Sequence, residues 1–213
     1  MQYKKRYLIA ASSLFVGAAF LANADSLQTV LTENTAWDNL LWTTSGTPKP
    51  ADDATINGGG FTVTVDGQVH SDPIHVNSLK LIDGGSTLEL LNGAFLAVNT
   101  SQASPATGDN SFQFTNLKIY SSTLAWGTIT ENGDGTYSYG KNGSFGLWWS
   151  NLEATNATIY GGMQAWHGSG SNTINVTDST IIANGVSLFE MQGNGGTTAN
   201  LRKSIFVLFA QRQ

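Results

Sequence analysis

The chain has 213 residues, 24 of them glycine and none cysteine, with 12% charged side chains and a net charge of −5. The length suits one domain with an appendage. The absence of cysteine excludes disulfides, thiolate metal sites and thiol catalysis, and the acidic balance argues against a nucleic-acid partner, which wants a basic face.

Lys4, Lys5 and Arg6 precede an apolar run from Tyr7 to Leu21, and Ala22-Asn23-Ala24 follows with small residues. These three parts form the pattern of a secretory signal, predicting residues 1–24 as an export segment cleaved before Asp25. No later segment is long and apolar enough to cross a bilayer as a helix. The expected location is therefore outside the cytoplasm, extracellular or at the cell surface in association with the outer membrane. Between residue 7 and residue 201 the only basic side chains are Lys49, Lys80, Lys118 and Lys141. Hydroxyls and amides must keep such a surface soluble, which again disfavours anionic partners.

After Asp25 no helical period holds, whereas two-residue alternation recurs. Phe61, Val63 and Val65 share one face; Leu79-Lys80-Leu81, Leu88-Glu89-Leu90 and Phe95 to Val98 continue in short pieces broken by Gly84-Gly85 and Asn92-Gly93. β-Branched residues fill the strands, and Gly, Asn and Asp fill the turns. The reading is all-β.

The second half repeats a template. Leu117 to Leu124, Leu152 to Ile159 and Ile174 to Ile181 each begin with an aliphatic residue and end in a small residue, Thr and another aliphatic. Ser86-Thr87-Leu88 echoes that ending, and Leu201 to Phe206 reads as a degraded copy. Repetition in both side-chain template and spacing predicts stacked coils, each lending its neighbour a shared interior, across residues 25–200. The alternative is an antiparallel β-sandwich or jelly roll. An insertion near 127–145 contains Asn132-Gly133-Asp134-Gly135, read as the turn of a hairpin projecting from one corner of the rod.

Trp37-Asp38, Trp42, Pro48, Asp52 to Ile56, Thr62 to Val65, Val76 to Leu79, Gly84-Gly85 and Thr87 to Leu90 occur in that order. Over residues 36–100 this resembles the opening of bacterial secreted β-helix proteins, both the autotransporter-passenger type and the PEP-CTERM type of exported protein. It is also similar to the eight-glycine domain of surface proteins. The resemblance implies a right-handed parallel β-helix at a cell surface and carries no catalytic motif.

Residues 201–213 change composition: Arg202 and Arg212 lie here, beside the apolar run Ile205 to Phe209. An open strand edge wants a polar cap. The run is expected to mark either a truncated or frame-shifted reading of a longer chain, or a last strand that packs back or pairs with another subunit through the C-terminal edge.

For chemistry, His70 and His75 flank Asp72, too few ligands to expect a metal. His167 reads as a loop residue. Asp52-Asp53 reads as a capping or turn pair rather than a calcium site. Glu131 and Asp134 belong to the hairpin turn. No catalytic residue and no cofactor is expected, which leans away from an enzyme. Trp126, Tyr137, Tyr139, Phe145, Trp148, Trp149, Tyr160 and Trp166 crowd into the segment containing the hairpin. Aromatic rings concentrate at binding surfaces and also form satellite cores beneath insertions. As a binding surface, Trp126, Trp148, Trp149, Tyr160 and Trp166 are the candidate platform for an extracellular glycan or cell-surface polymer. The expected function is an exported structural or adhesive β-helix module without catalytic activity; the alternative is a carbohydrate-active β-helix enzyme or glycan-binding module.

Overall fold

A computed structural model describes residues 25–43, 46–99, 111–167, 171–193 and 196–209. Residues 1–24, read above as an export segment, therefore lie outside the described residues. The described residues form a parallel β-helix. Its strands form three long sheets, of seven, seven and six strands among the described residues, and strands of one sheet come from successive coils.

The first sheet stacks 26–30, 53–57, 78–82, 111–113, 144–148, 162–167 and 189–193; the second stacks 35–36, 62–66, 87–91, 116–120, 151–155, 171–177 and 196–202. The third stacks 74–76, 95–99, 123–127, 158–160, 180–184 and 205–209. Among the described residues, the one antiparallel pair is the hairpin of Ile129–Glu131 and Tyr137–Tyr139. Neighbouring coils lie about 4.8 Å apart, the spacing of paired strands.

Period-two alternation becomes columns in three dimensions. In the second sheet Val63, Leu88, Leu117, Leu152 and Ile174 stack inward in register, and Val65, Leu90, Ile119, Ala154 and Val176 form the adjacent column. Ile74, Leu96, Leu124, Ile159 and Ile181 do the same in the third sheet. All of these are buried. One coil could not bury this stripe alone, so the repeat is a stability requirement.

The template maps onto the second-to-third-sheet corner. Leu117, Leu152 and Ile174 open it in the second sheet, and Leu124, Ile159 and Ile181 close it in the third. Its small residue sits at the bend. Ser179 Oγ donates to the Thr177 carbonyl at 2.7 Å and accepts from the Ala157 N–H at 3.0 Å. Ser204 repeats both contacts one coil later. Two details differ from the sequence reading. Ser86-Thr87-Leu88 stacks on Thr115-Asn116-Leu117, the start of the template rather than its end. The Leu201 to Phe206 copy is in register from Ala199, which pairs with Ile174. Residues 205–209 pair with 180–184, so the last coil runs past the compositional change at 201.

At the first coil, Trp37 enters the core from a short 3-10 turn, Trp37–Asn39, and packs its ring 5.6 Å from Trp42. At the other end, the inward-column residues Met191, Leu201 and Leu208 remain about half exposed among the described residues.

The hairpin does not project. Tyr137 lies 4.3 Å from the His75 ring and Tyr139 lies 4.5 Å from Phe95, so it folds back across the outer face of the third sheet. The physical reason is the sheet beneath it: with Ala97 and Ala125 as small outward neighbours, the tyrosine rings bury apolar surface that a projecting arm would leave wet.

Candidate functional site: an aromatic corner between two sheets

The first-to-second-sheet corner is built in two ways along the molecule. The earlier coils use glycine: Gly59 and Gly60 have φ of +55° and +87°, and Asp83 and Gly85 have +87° and +83°. The two following coils turn at one left-handed residue, and those residues are Phe114 (φ +55°) and Trp149 (φ +49°). A bulky side chain in this region is a steric outlier.

A buried polar network holds the two residues there. Behind each comes a small polar side chain, Thr115 or Ser150, both buried. The Ser150 hydroxyl shares its one proton between the carbonyls of Phe112 (2.8 Å) and Trp148 (2.9 Å) and accepts from the Thr115 N–H at 3.1 Å. The Ser150 N–H reaches the Asn172 Oδ1 at 2.9 Å, and the Phe114 N–H reaches the Trp148 carbonyl at 2.8 Å. Three consecutive coils are stitched together beneath the aromatics.

Outside this network the rings of Phe114 and Trp149 are stacked, 4.8 Å apart and 6° from parallel. That separation matches one coil step, so the stack runs along the helix axis. Trp148 meets Trp149 edge-on at 6.2 Å and 77°. Its indole lies over Gly146, where an added Cβ would come within 3.3 Å of Trp148 Nε1. Phe114 is 53% exposed, a large fraction for a ring held in a strained backbone.

The five-residue platform expected from sequence is not assembled. Trp126 is wholly buried, packed among Phe112 and Phe145 at 6.0 and 5.2 Å, because it sits at an inward register position beside Val98; no ligand can reach it. Tyr160 lies on the third sheet, and the Lys141 ammonium sits 5.0 Å over its ring. Trp148 and Trp149 do come together, Trp148 ending its strand and Trp149 forming the corner itself. The Trp166 backbone pairs with Trp148, while its side chain lies outside the described residues. Phe114 is the residue that sequence reasoning missed.

The other sequence candidates disperse. His70 Nδ1 lies 3.0 Å from the Asp38 carboxylate, and His75 Nε2 lies 2.9 Å from the Tyr139 hydroxyl, so the pair diverges around Asp72. Burial holds the His75 imidazole below its ordinary pKa. The described residues contain no group of three or more His, Cys, Asp or Glu placed to hold a metal ion. Asp52 accepts the N–H groups of Lys49 and Asp25 at 2.8 and 3.2 Å, and Asp53 accepts from Asn77 and Ser78 at 2.8 and 2.6 Å. Both carboxylates fasten turns.

The second sheet's outer face carries a different constellation. Glu89, Lys118 and Glu153 stack in one column over three coils. In the next column the Tyr120 phenol is pushed up to about 12, chiefly by burial, then by hydrogen bonding to Glu153 and by the charges of Glu153 and Glu89. An amide rung runs alongside, with Asn151 donating to Asn116 at 3.0 Å. An open depression of about 300 Å³ here is lined by Lys118, Glu153, Asn116, Asn151, Thr173 and Asn175.

No family model matches the chain, and no curated protein or solved structure matches it either. The functional argument therefore rests on these residues.

Proposed function

We propose that the chain is an exported structural and adhesive β-helix module of the cell surface or extracellular space. The observation that carries this reading is an aromatic stack offered to solvent from a strained corner of a hydrogen-bonded rod. Strain of this kind persists where the surrounding structure over-determines it, and such positions cluster at ligand contacts. Elsewhere the outer faces present hydroxyls and amides that bond from coil to coil, as Asn200 does to Asn175 at 2.8 Å, which supports a rod that stays rigid while exposed. The amino-terminal pattern of basic start, apolar run and small-residue exit supports export.

The test is direct. The full chain, expressed in a bacterium with an outer membrane, is expected to appear with Asp25 as its first residue and to be digested by protease added to intact cells. A product that keeps residues 1–24 and stays protected inside the cell overturns the reading.

A second reading, a carbohydrate-active enzyme, draws on the Glu89–Lys118–Glu153 column. Two carboxylates two coil steps apart span about 9.6 Å at the backbone, near the separation used by inverting glycosidases. The depression on that face, however, includes only Glu153 of the two. Release of reducing ends from a polysaccharide panel, lost in Glu153→Gln, is the result that would favour the enzyme.

A further inference from the structure

Among the described residues, the aromatic stack ends at Phe114 on the side of the preceding coil, where Gly84 and Gly85 stand beside it. Trp149 covers one face of Phe114 from the following coil. The opposite face looks toward the preceding coil, whose corner is Asp83-Gly84-Gly85. That coil is held against Phe114 through its backbone, the Gly85 N–H donating to the Phe114 carbonyl at 2.7 Å. A Cβ built on Gly84 or on Gly85 would meet nothing within 4 Å. The corner column thus consists of two stacked rings followed by an unfilled step.

We infer that this step is a carbohydrate subsite, in which a pyranose ring lays its C–H face on Phe114 and occupies the space that a side chain at residue 84 or 85 would fill. This rests on the adhesive reading above and names its ligand class. A sugar ring fits on three grounds. The gap continues a stack whose layers are one coil apart, so its occupant must be flat and apolar on the face it turns to Phe114. The edges of the gap are polar: Asp83 is exposed, its Oδ1 accepting from the neighbouring Gly84 N–H at 2.8 Å, and the Asn116 amide stands at 3.3 Å from the Gly85 carbonyl. Hydroxyls around the rim of a saccharide suit a carboxylate and an amide together. Finally, no lysine or arginine belongs to this corner, and Asp83 brings negative charge, so a phosphate or sulfate ester would be repelled. The network of Ser150, Thr115 and Asn172 supplies preorganisation: Phe114 is already in place before a ligand arrives.

Gly84 makes the idea testable without touching the fold. It has no left-handed φ and its Cβ points into open space, so Gly84→Leu plugs the gap at no steric cost. The exported full chain is titrated with cellohexaose and with chitohexaose, followed by tryptophan fluorescence and calorimetry. One of the two is expected to bind. Both Phe114→Ala and Gly84→Leu are then expected to weaken that binding by about tenfold or more, the loss of one stacked ring face and its desolvated neighbours. The melting temperature of Gly84→Leu should equal that of the parent. Should Phe114→Ala misfold, Gly84→Leu alone decides the matter. Saccharide binding unchanged by Gly84→Leu, or no binding of either hexaose, overturns the subsite. In both cases surface display and cell adhesion remain measurable, so the adhesive reading stands or falls separately.

Discussion

The β-helix joins its three sheets at three corners, and two of them, first-to-second and second-to-third, place residues at positive φ in several coils. At the second-to-third-sheet corner those residues are Asn92, Ser121, Asn156, Asp178 and Lys203. Polar and mostly short side chains stand there, with the small ones that tolerate the left-handed region in the majority. The ladder there is regular, with the N–H groups of Ser121, Asn156 and Asp178 each bonding the next coil's carbonyl at 3.0 to 3.1 Å. At the first-to-second-sheet corner, Phe114 and Trp149 take the same conformation against their steric preference. The first corner is solved by local chemistry. The second carries strain that the buried Ser150 network offsets, and it exposes rings that a structural corner does not need.

That contrast can be broken in several ways. The largest effect is expected from the aromatic that belongs to neither corner: Trp126→Ala should cost about 3–5 kcal/mol in denaturant unfolding, as for any wholly buried large ring. A loss below about 1 kcal/mol would remove Trp126 from the core. Next comes the network itself. Ser150→Ala leaves the buried Thr115 N–H without its 3.1 Å acceptor and should cost about 1–3 kcal/mol. Phe114→Asn sharpens the comparison further. It exchanges a stack worth about 0.5–1.5 kcal/mol for relief of about 1–2 kcal/mol of backbone strain, so stability should rise or hold within about 1 kcal/mol. A drop of several kcal/mol would show that the ring is structural. At the other corner Asn156→Gly should change stability by less than about 0.5 kcal/mol, because the native residue already suits its conformation.

The smallest global effect concerns the hairpin. Burial depresses the His75 pKa below its ordinary 6.5, so the docked state binds fewer protons than the released one. Docking is complete above that ordinary value and is lost as pH falls below it toward the depressed one. Amide exchange at Tyr137–Tyr139 should accelerate on acidification while the coils stay protected. His75→Phe should abolish the pH dependence, and a pH-independent exchange rate in the parent chain would disprove the coupling.

Particular residues show how far the sequence carries. The alternation in Phe61 to Val65 and the template from Leu117, Leu152 and Ile174 were enough to identify stacked coils, because burying a period-two stripe by repetition leaves few other arrangements. The Asn-Gly-Asp-Gly turn was legible for the same local reason, and Gly133 and Gly135 do have φ of +81° and +84°. The tryptophans were harder. Period-two alternation sets Phe112 and Phe114 on one face; the left-handed turn at Phe114 sends its ring outward and leaves Phe112 in the core. Trp126 has the composition of a binding residue and the register of a core residue. Nothing in its neighbours tells the two apart until Val98 is seen beside it.

Local pattern alone thus determined the strands, their inward faces, the turn residues and the need for neighbouring coils, since each follows from backbone sterics and from burying an apolar stripe. Which aromatic stands inside, that the hairpin lies down on the third sheet, and that Phe114 meets Trp149 beside an empty glycine step were decided by tertiary structure. Those facts depend on which residue of one coil lands above which residue of the next. Here that register joins positions 18 to 35 residues apart through insertions of unequal length.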